Sequence, residues 1–402
     1  MAETPIEYVS NANAVFSKNL FNIIAEKGKN IIYSPLSAHA ILSLVHQGAA
    51  DETAESMEQG LHLSDTKLAA TGYQSVMEKL NSVNEVTLHI ANKVYIHEKY
   101  NLKDEFCTTA KECYLSETEK IAFTPDTTVA AKTMNDWVEN QTNNKIQNLI
   151  HPSNVNCDTR LFLINAIYFK GKWLDCFSEK WTKKEKFYLN DNDTVDCDMM
   201  QMENKFRYGE DDDLDAQIIN IPYKDENLSL MIILPRSKTG IPLLEEKIAT
   251  KNLTDININL VSETVILFLP KFKIESTIEL NEPLTEMGME IIFSNRAKFS
   301  NLIYSPEPLA ISSVIQKAFI EVNEEGVEAA AATAGTFTFL SAYRRMEGYV
   351  FCVKKVKCSR KLKKPPKPKI FRADHGFLFY LYYQDEHNIH LIFVGKLERF
   401  DD

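Results

Sequence analysis

The side chains able to do chemistry in this 402-residue chain are plentiful, yet they are not grouped for catalysis. The nine histidines form no H-E-x-x-H pair. No serine sits in G-x-S-x-G, and no glycine run matches G-x-x-x-x-G-K-[ST] or G-x-G-x-x-G. His387 and His390 stand in a turn and a strand with no third ligand type beside them, which argues against a metal. The run Asp211, Asp212, Asp213, Asp215 lacks the glycine and terminal glutamate of a calcium loop and reads as a solvated turn. The seven cysteines (Cys107, Cys113, Cys157, Cys176, Cys197, Cys352 and Cys358) are odd in number, scattered and without C-x-x-C spacing, so they read mostly as free thiols. For Cys352 and Cys358 a disulfide, a metal pair and two separate loop thiols all stay open. No cofactor is implied, and the chain does not read as an enzyme.

One segment has a composition that calls for a different explanation. Glu324-Glu325-Gly326-Val327-Glu328-Ala329-Ala330-Ala331-Ala332-Thr333-Ala334 is small and uncharged after its first acids, Glu328 apart. As an extended strand it places Val327, Ala329, Ala331 and Thr333 on one face and Glu328, Ala330, Ala332 and Ala334 on the other. The first face can be buried cheaply, whereas a charge there would be expensive. An alanine-rich helix or a linker fits the same composition. From Gly326 to Ile370 no amphipathic period is found, and so long a stretch inside a folded chain is functional or disordered. Its later part is basic: Arg344 to Arg372 holds twelve Lys and Arg against Glu347, in a chain of net charge −11. The rest of the chain is therefore strongly acidic, which disfavours general nucleic-acid binding. The Lys354–Lys369 tract reads as a solvated insertion, a polyanion or glycosaminoglycan site, a nuclear-targeting signal or a processing site.

The elements that position these residues begin with helices. Asn13–Ile24 carries Val15, Phe16, Leu20, Phe21 and Ile24 on one stripe, and Ser37–His46 is apolar on nearly every face. Glu52–Leu61, Asp65–Leu80 and a long Val129–Ile150 are further expected helices. Strands are expected at Val86–Ile96, Thr159–Phe169, Ala216–Pro222, Leu228–Leu234, Thr264–Lys273, Val314–Val322, Phe377–Tyr383 and His390–Val394. Helices first, strands later and no βαβ alternation give an α+β class. Length alone allows roughly two to four domains. With 13 Gly, 14 Pro and no Ser/Gly tract there is no linker, so one domain over 1–402 is expected.

Several segments resemble motifs of the serpin family, in the family's order. They are NIIYSPLS (Asn30–Ser37), GAADET (Gly48–Thr53), NDWVENQTNNKI (Asn135–Ile146), NAIYFKGKW (Asn165–Trp173), FLPKFKIE (Phe268–Glu275), GMEIIFS (Gly288–Ser294), KAFIEVNEEG (Lys317–Gly326) and FRADHGFLFYL (Phe371–Leu381). The resemblance is to intracellular, ovalbumin-like and insect-type inhibitory members. It implies three β-sheets, eight or nine helices and an exposed mobile reactive-centre loop, here 325–370 with a basic insertion. It assigns Ser34, Ser37, Asn165 and Gln316 to a shutter cluster and Trp173 to the breach where the loop enters the sheet. Ordinary buried hydrogen bonding is the plainer reading of the four polar residues. The family often has His where Gln316 stands, and Pro where Gly376 stands. Gln still offers donors and acceptors, so sheet opening is expected to be retuned, while Gly376 leaves the backbone less constrained.

The resemblance also implies a trap. A protease attacks the loop as substrate and forms an acyl-enzyme. The hinge, Glu324, Glu325, Gly326, Val327, Glu328, Ala329, Ala330, Ala331, Ala332 and Thr333, then enters the main sheet and drags the protease with it. Counting forward from Gly326 as in typical members puts the cut at Leu340-Ser341; counting back from Phe371 puts it near Arg360 to Lys364, including Lys363. Glu324 to Leu340 spans about 55–60 Å extended, which suits pole-to-pole transfer and favours Leu340. Arg344 or Arg345 is the runner-up. The Thr-Phe-Thr-Phe-Leu run suits a chymotrypsin-, elastase- or cathepsin-like enzyme. The competing function is a non-inhibitory serpin serving as carrier, chaperone or anion-binding module. The opening MAETPIEYVSNANAVFSKNLF has no basic stretch before an apolar run, so no leader is expected. A cytoplasmic monomer away from membranes follows as the expectation, with unconventional secretion or the nucleus as alternatives. The sequons at Asn140, Asn192, Asn227 and Asn252 matter only on a secretory route.

Overall fold

The computed structural model describes residues 3–83, 86–251, 253–305, 307–325, 367–385 and 388–400. Local chemistry sets its first helices. Pro5–Ile24 starts on a capping box in which Thr4 N donates to Glu7 Oε2 at 2.8 Å and Glu7 N donates to Thr4 Oγ1 at 3.3 Å. Pro35–His46 is capped by Ser34 and is buried along its whole length, as its apolar composition requires. Asp51–Leu61 and Thr66–Asn81 follow, the second capped by Asp65.

Among the described residues five strands form one sheet, in the order Phe272–Glu279, Ile311–Val322, Leu161–Gly171, Val86–His97, Glu117–Ile121. The central strand Leu161–Gly171 reads as apolar on both faces because both faces are covered, every residue from Leu161 to Phe169 being buried. A second, nine-stranded sheet runs Ile31–Tyr33, Ile389–Leu397, Phe377–Gln384, Leu228–Pro235, Ala216–Pro222, Thr194–Asp211, Val261–Pro270, Lys369–Arg372, with Lys183–Tyr188 attached to Thr194–Asp211. Two of the three expected sheets are continuous here because Thr194–Asp211 is long enough to serve both. Its start pairs with Lys183–Tyr188, its middle with Val261–Pro270 and its end with Ala216–Pro222.

Two expectations need correcting. The helix expected over Val129–Ile150 is Thr127–Gln141. Asn143 and Asn144 adopt φ of 51° and 58°, left-handed values that Asn tolerates and that stop a helix. The single strand expected over Thr264–Lys273 is two strands in different sheets, Val261–Pro270 and Phe272–Glu279. The break falls at Pro270-Lys271, where the proline has no N–H for a ladder.

Most of the apolar interior lies between the two sheets and the first helices. A smaller cluster fills the front of the five-stranded sheet under Thr127–Gln141.

Candidate functional site

The five-stranded sheet has a weak line down its middle. Ile311–Val322 and Leu161–Gly171 are parallel neighbours, whereas each pairs antiparallel with its other neighbour. Parallel pairing is slightly the less stable of the two. Their ladder runs from Ile311↔Leu161 to Phe319↔Tyr168. Beyond it, Ile320, Glu321 and Val322 pair only outward with Ile274, Lys273 and Phe272. Across the line, Phe169 and Gly171 pair with Leu88 and Val86. The two strands therefore part into a notch at the end from which the chain runs to Gly326.

Trp173 and the last residues before the hinge fill the head of this notch. Trp173 is fully buried, and its ring stacks on Tyr223 with centroids 4.4 Å apart. Its Nε1 donates to Asn323 O at 2.9 Å and its backbone N to Glu325 O at 3.0 Å. Phe177 N donates to Glu324 O at 2.8 Å. The Glu324 carboxylate meets Lys271 Nζ at 2.8 Å and accepts from Thr182 Oγ1 at 2.8 Å. Burial alone would push this carboxyl up, but Lys271, Thr182 and the backbone outweigh it and hold it below the usual glutamate value. Cys176 lies on the same rim, its Sγ 3.8 Å from Glu325 O, and burial with Glu325 nearby pushes its thiol up. Thus Glu324, Glu325 and Trp173 come together, and Lys271 and Thr182 join them.

Halfway down the line sits a row of buried amides. Gln316, Asn165 and Asn92 are register partners on three adjacent strands. Gln316 Nε2 donates to Asn165 Oδ1 and, at 2.9 Å, to Ser34 O; its Oε1 accepts from Ser34 N at 2.9 Å. Asn165 Nδ2 donates to Ser37 Oγ and to Asn92 Oδ1. Ser37 Oγ donates to Asn92 Oδ1 at 3.3 Å, and Ser37 N to Ser34 Oγ at 3.3 Å. All five residues are at most 1% exposed. Ser34, Ser37, Asn165 and Gln316 meet as the sequence suggests. Asn92 completes the row and was not singled out, because a lone Asn within an apolar strand carries no spacing signal.

Comparison with known proteins then decides the family. The profile described as Serpin (serine protease inhibitor) matches residues 11–399. The chain belongs to the serpin family. It is 36% identical over 376 residues to Antichymotrypsin-2 of Bombyx mori, covering 93% of this chain and 94% of that one. It is 34% identical to human Serpin B4, covering 96% and 98%. Among solved structures it is similar to Serpin48 of the insect Tenebrio molitor, with a TM-score of 0.83, 35% identity and coverage of 98% and 99%. The serpin architecture and the relation to insect and Serpin B members are thereby established, and the family is one of serine protease inhibitors.

Two residues expected to depart from the family pattern are placed by the structure. Gln316 holds both backbone groups of Ser34 as well as Asn165. At Gly376 an added Cβ would lie 2.8 Å from Ile241 Cγ1, so Ile241 occupies the space that a larger residue would need. Gly326, Val327, Glu328, Ala329, Ala330, Ala331, Ala332, Thr333, Leu340, Ser341, Arg344, Arg345, Arg360 and Lys363 lie outside the described residues, as do Cys352, Cys358 and the Lys354–Lys364 part of the basic tract.

Proposed function

We propose that this serpin inhibits a serine or cysteine protease once, as a suicide substrate. The protease nucleophile attacks the Leu340 carbonyl. The Leu340–Ser341 bond breaks, the amine of Ser341 leaves, and an acyl-enzyme on Leu340 remains. The hinge then enters the notch and runs down between Ile311–Val322 and Leu161–Gly171, antiparallel to both. The observation that carries this reading is the parallel pair that splays at the end facing the hinge. A strand inserted there replaces one parallel pairing with two antiparallel ones, which favours the inserted state. The small face of Val327, Ala329, Ala331 and Thr333 then packs at little cost. Strain released in this way makes the trap kinetic, not reversible. The basic tract follows the cut; it attracts acidic proteases or polyanions and takes no part in the inserted strand.

The test is incubation with chymotrypsin-like and trypsin-like proteases, followed by denaturing electrophoresis and mass spectrometry. A covalent adduct that survives denaturation, with a released fragment beginning at Ser341, is expected. Clean cleavage without an adduct would remove the inhibitory reading, and a fragment beginning after Arg344, Arg345 or a residue from Arg360 to Lys364 would move the bond.

A further inference from the structure

The chain has three tryptophans, and two of them have partners. Trp173 stacks on Tyr223, and Trp137 Nε1 donates to Glu117 Oε2 at 2.9 Å. Trp181 is the third. It is 58% exposed and, among the described residues, its ring stacks on nothing and its Nε1 has no acceptor. An indole left in water serves no packing purpose here, and tryptophan is enriched where one protein anchors on another.

The backbone that presents Trp181 is fixed. Glu179–Trp181 is one tight helical turn, with Trp181 N donating to Ser178 O at 2.8 Å and Thr182 N to Glu179 O at 3.1 Å. On either side the chain is pinned to the residue before the hinge, Phe177 N to Glu324 O and Thr182 Oγ1 to Glu324 Oε1, both at 2.8 Å. An anchor held this way loses little freedom when it docks. The strand that follows, Lys183–Tyr188, meets the far end of the loop: Arg372 donates to Glu185 Oε2, and Tyr188 N to Asp374 O at 2.7 Å. The strip 178–188 therefore touches the chain just before the hinge and again where it has rejoined the fold.

The strip is also basic, in a chain of net charge −11. Lys184 and Lys186 are matched across the hairpin by Asp198 at 3.1 Å and Asp196 at 2.6 Å. Lys180 and Lys183 are exposed and make no ion pair among the described residues. A protein surface with carboxylates around an apolar spot suits both features at once. A polyanion would use the lysines and leave the indole idle, and two copies facing each other through this strip would set lysine against lysine. A protease attacking the loop is the macromolecule brought to this place. Leu340 stands 15 residues beyond Glu325, so an enzyme held there meets the strip at an effective concentration on the order of millimolar.

We infer that Trp181, flanked by Lys180 and Lys183, is a second docking point for the target protease beside the loop, and that it takes an acidic surface bearing an apolar spot. The inference rests on the trapping reading and adds a recognition surface to it. Docking there speeds capture and leaves insertion untouched.

The second-order rate of covalent-complex formation by the full chain tests this. The probe is chymotrypsin in two forms, native and with its lysines succinylated to make its surface acidic. Stoichiometry of inhibition and melting of intact and cleaved serpin are read alongside. Trp181→Ala is expected to slow capture of the succinylated enzyme about 10-fold, at low and high salt alike, with stoichiometry and melting unchanged. Trp181→Phe is expected to recover part of that loss. Lys180→Glu combined with Lys183→Glu is expected to slow the succinylated enzyme about 10-fold at low salt, to spare the native one, and to lose its effect at high salt. An unchanged rate for Trp181→Ala overturns the docking point. A changed stoichiometry with an unchanged rate overturns it too, because Trp181 would then act on Glu324 through Thr182. Heparin binding lost with the two lysines, at an unchanged capture rate, gives the strip to a polyanion instead. A dimer that Trp181→Ala dissolves, seen by light scattering, gives it to a second copy. If neither form of the enzyme yields a covalent complex with the wild type, the trapping reading itself falls and takes this inference with it.

Discussion

At its centre the weak line of the sheet is shut by amides; at its top it is shut by an indole and an ion pair. The central row of Gln316, Asn165 and Asn92 is buried with Ser34 and Ser37, and water has no access to replace a broken bond. A half-opened row leaves orphaned polar groups, at about 1–3 kcal/mol each. It therefore holds or yields as a unit. At the top, Lys271 keeps 39% of its side chain exposed, so water can take over from Glu324 as that pair parts. The difference sets a direction: an incoming strand meets the replaceable contacts first and the irreplaceable ones halfway down. On the proposed trapping reading, an inhibitor built this way would resist spontaneous opening in the middle and stay receptive at the end where Glu324 and Glu325 stand.

The strongest way to break this comparison is to stop a strand at the top. Val327 precedes the alanines on the face that must be buried. Val327→Arg would bring an unpaired charge to the notch, at several kcal/mol or with refusal to insert. Cleavage at an unchanged rate with complete loss of the covalent complex is expected on denaturing gels. Full inhibition by this variant would show that the notch admits charge and that the two faces are assigned the wrong way round.

A smaller effect is expected at the centre. Asn165→Ala removes the bonds to Gln316, Ser37 and Asn92 together and leaves a small cavity. Destabilisation of the intact protein by about 2–4 kcal/mol is expected from urea unfolding. A change under about 1 kcal/mol would mean that the row is not what closes the middle of the line.

The two ends of this comparison were not equally legible in the sequence. Ser34, Ser37 and Asn165 could be named from motif positions, since each sits in a segment with strong family character, and Gln316 because it directly precedes one, KAFIEVNEEG. Asn92 could not, because its partner is chosen by the register Asn165↔Asn92, and register is a property of the folded sheet. Glu324 was legible as part of the hinge, but its partner Lys271 is distant in sequence and sits in the short break between two strands that the alternation pattern merged. Lys93 and Lys317 were silent for another reason. A lysine in an apolar strand reads as a solvent-facing position, but Trp137 of the helix Thr127–Gln141 covers Lys93, and Lys317 is buried where it donates to Gln147 O in the chain that returns from that helix. The strands Lys183–Tyr188 and Thr194–Asp211 were missed because they alternate charge with modest apolarity, their outer face being solvated.

The smallest expected effect belongs to the ion pair at the top, and its sign can be worked out. The Glu324 carboxyl is held below its ordinary value in the folded protein, against the push of burial, by Lys271, Thr182 and the backbone. A group depressed on folding adds stability that is fully present above its unfolded value of about 4.3, and that stability is lost as pH falls through the lower folded value. Glu324→Gln removes the charge while keeping an acceptor for Thr182. Being partly exposed through Lys271, the pair is worth about 1 kcal/mol. The difference in unfolding free energy between wild type and Glu324→Gln should therefore stand at about 1 kcal/mol near neutral pH and shrink below about pH 4.3. Taking the difference between the two proteins cancels the other carboxylates that titrate in the same range. High salt at neutral pH should shrink it too, because the exposed side of the pair is screened. A difference that stays constant through acid, or that grows, would mean that Glu324 is held by its hydrogen bonds and not by Lys271. The top of the line would then be no more open to water than its centre.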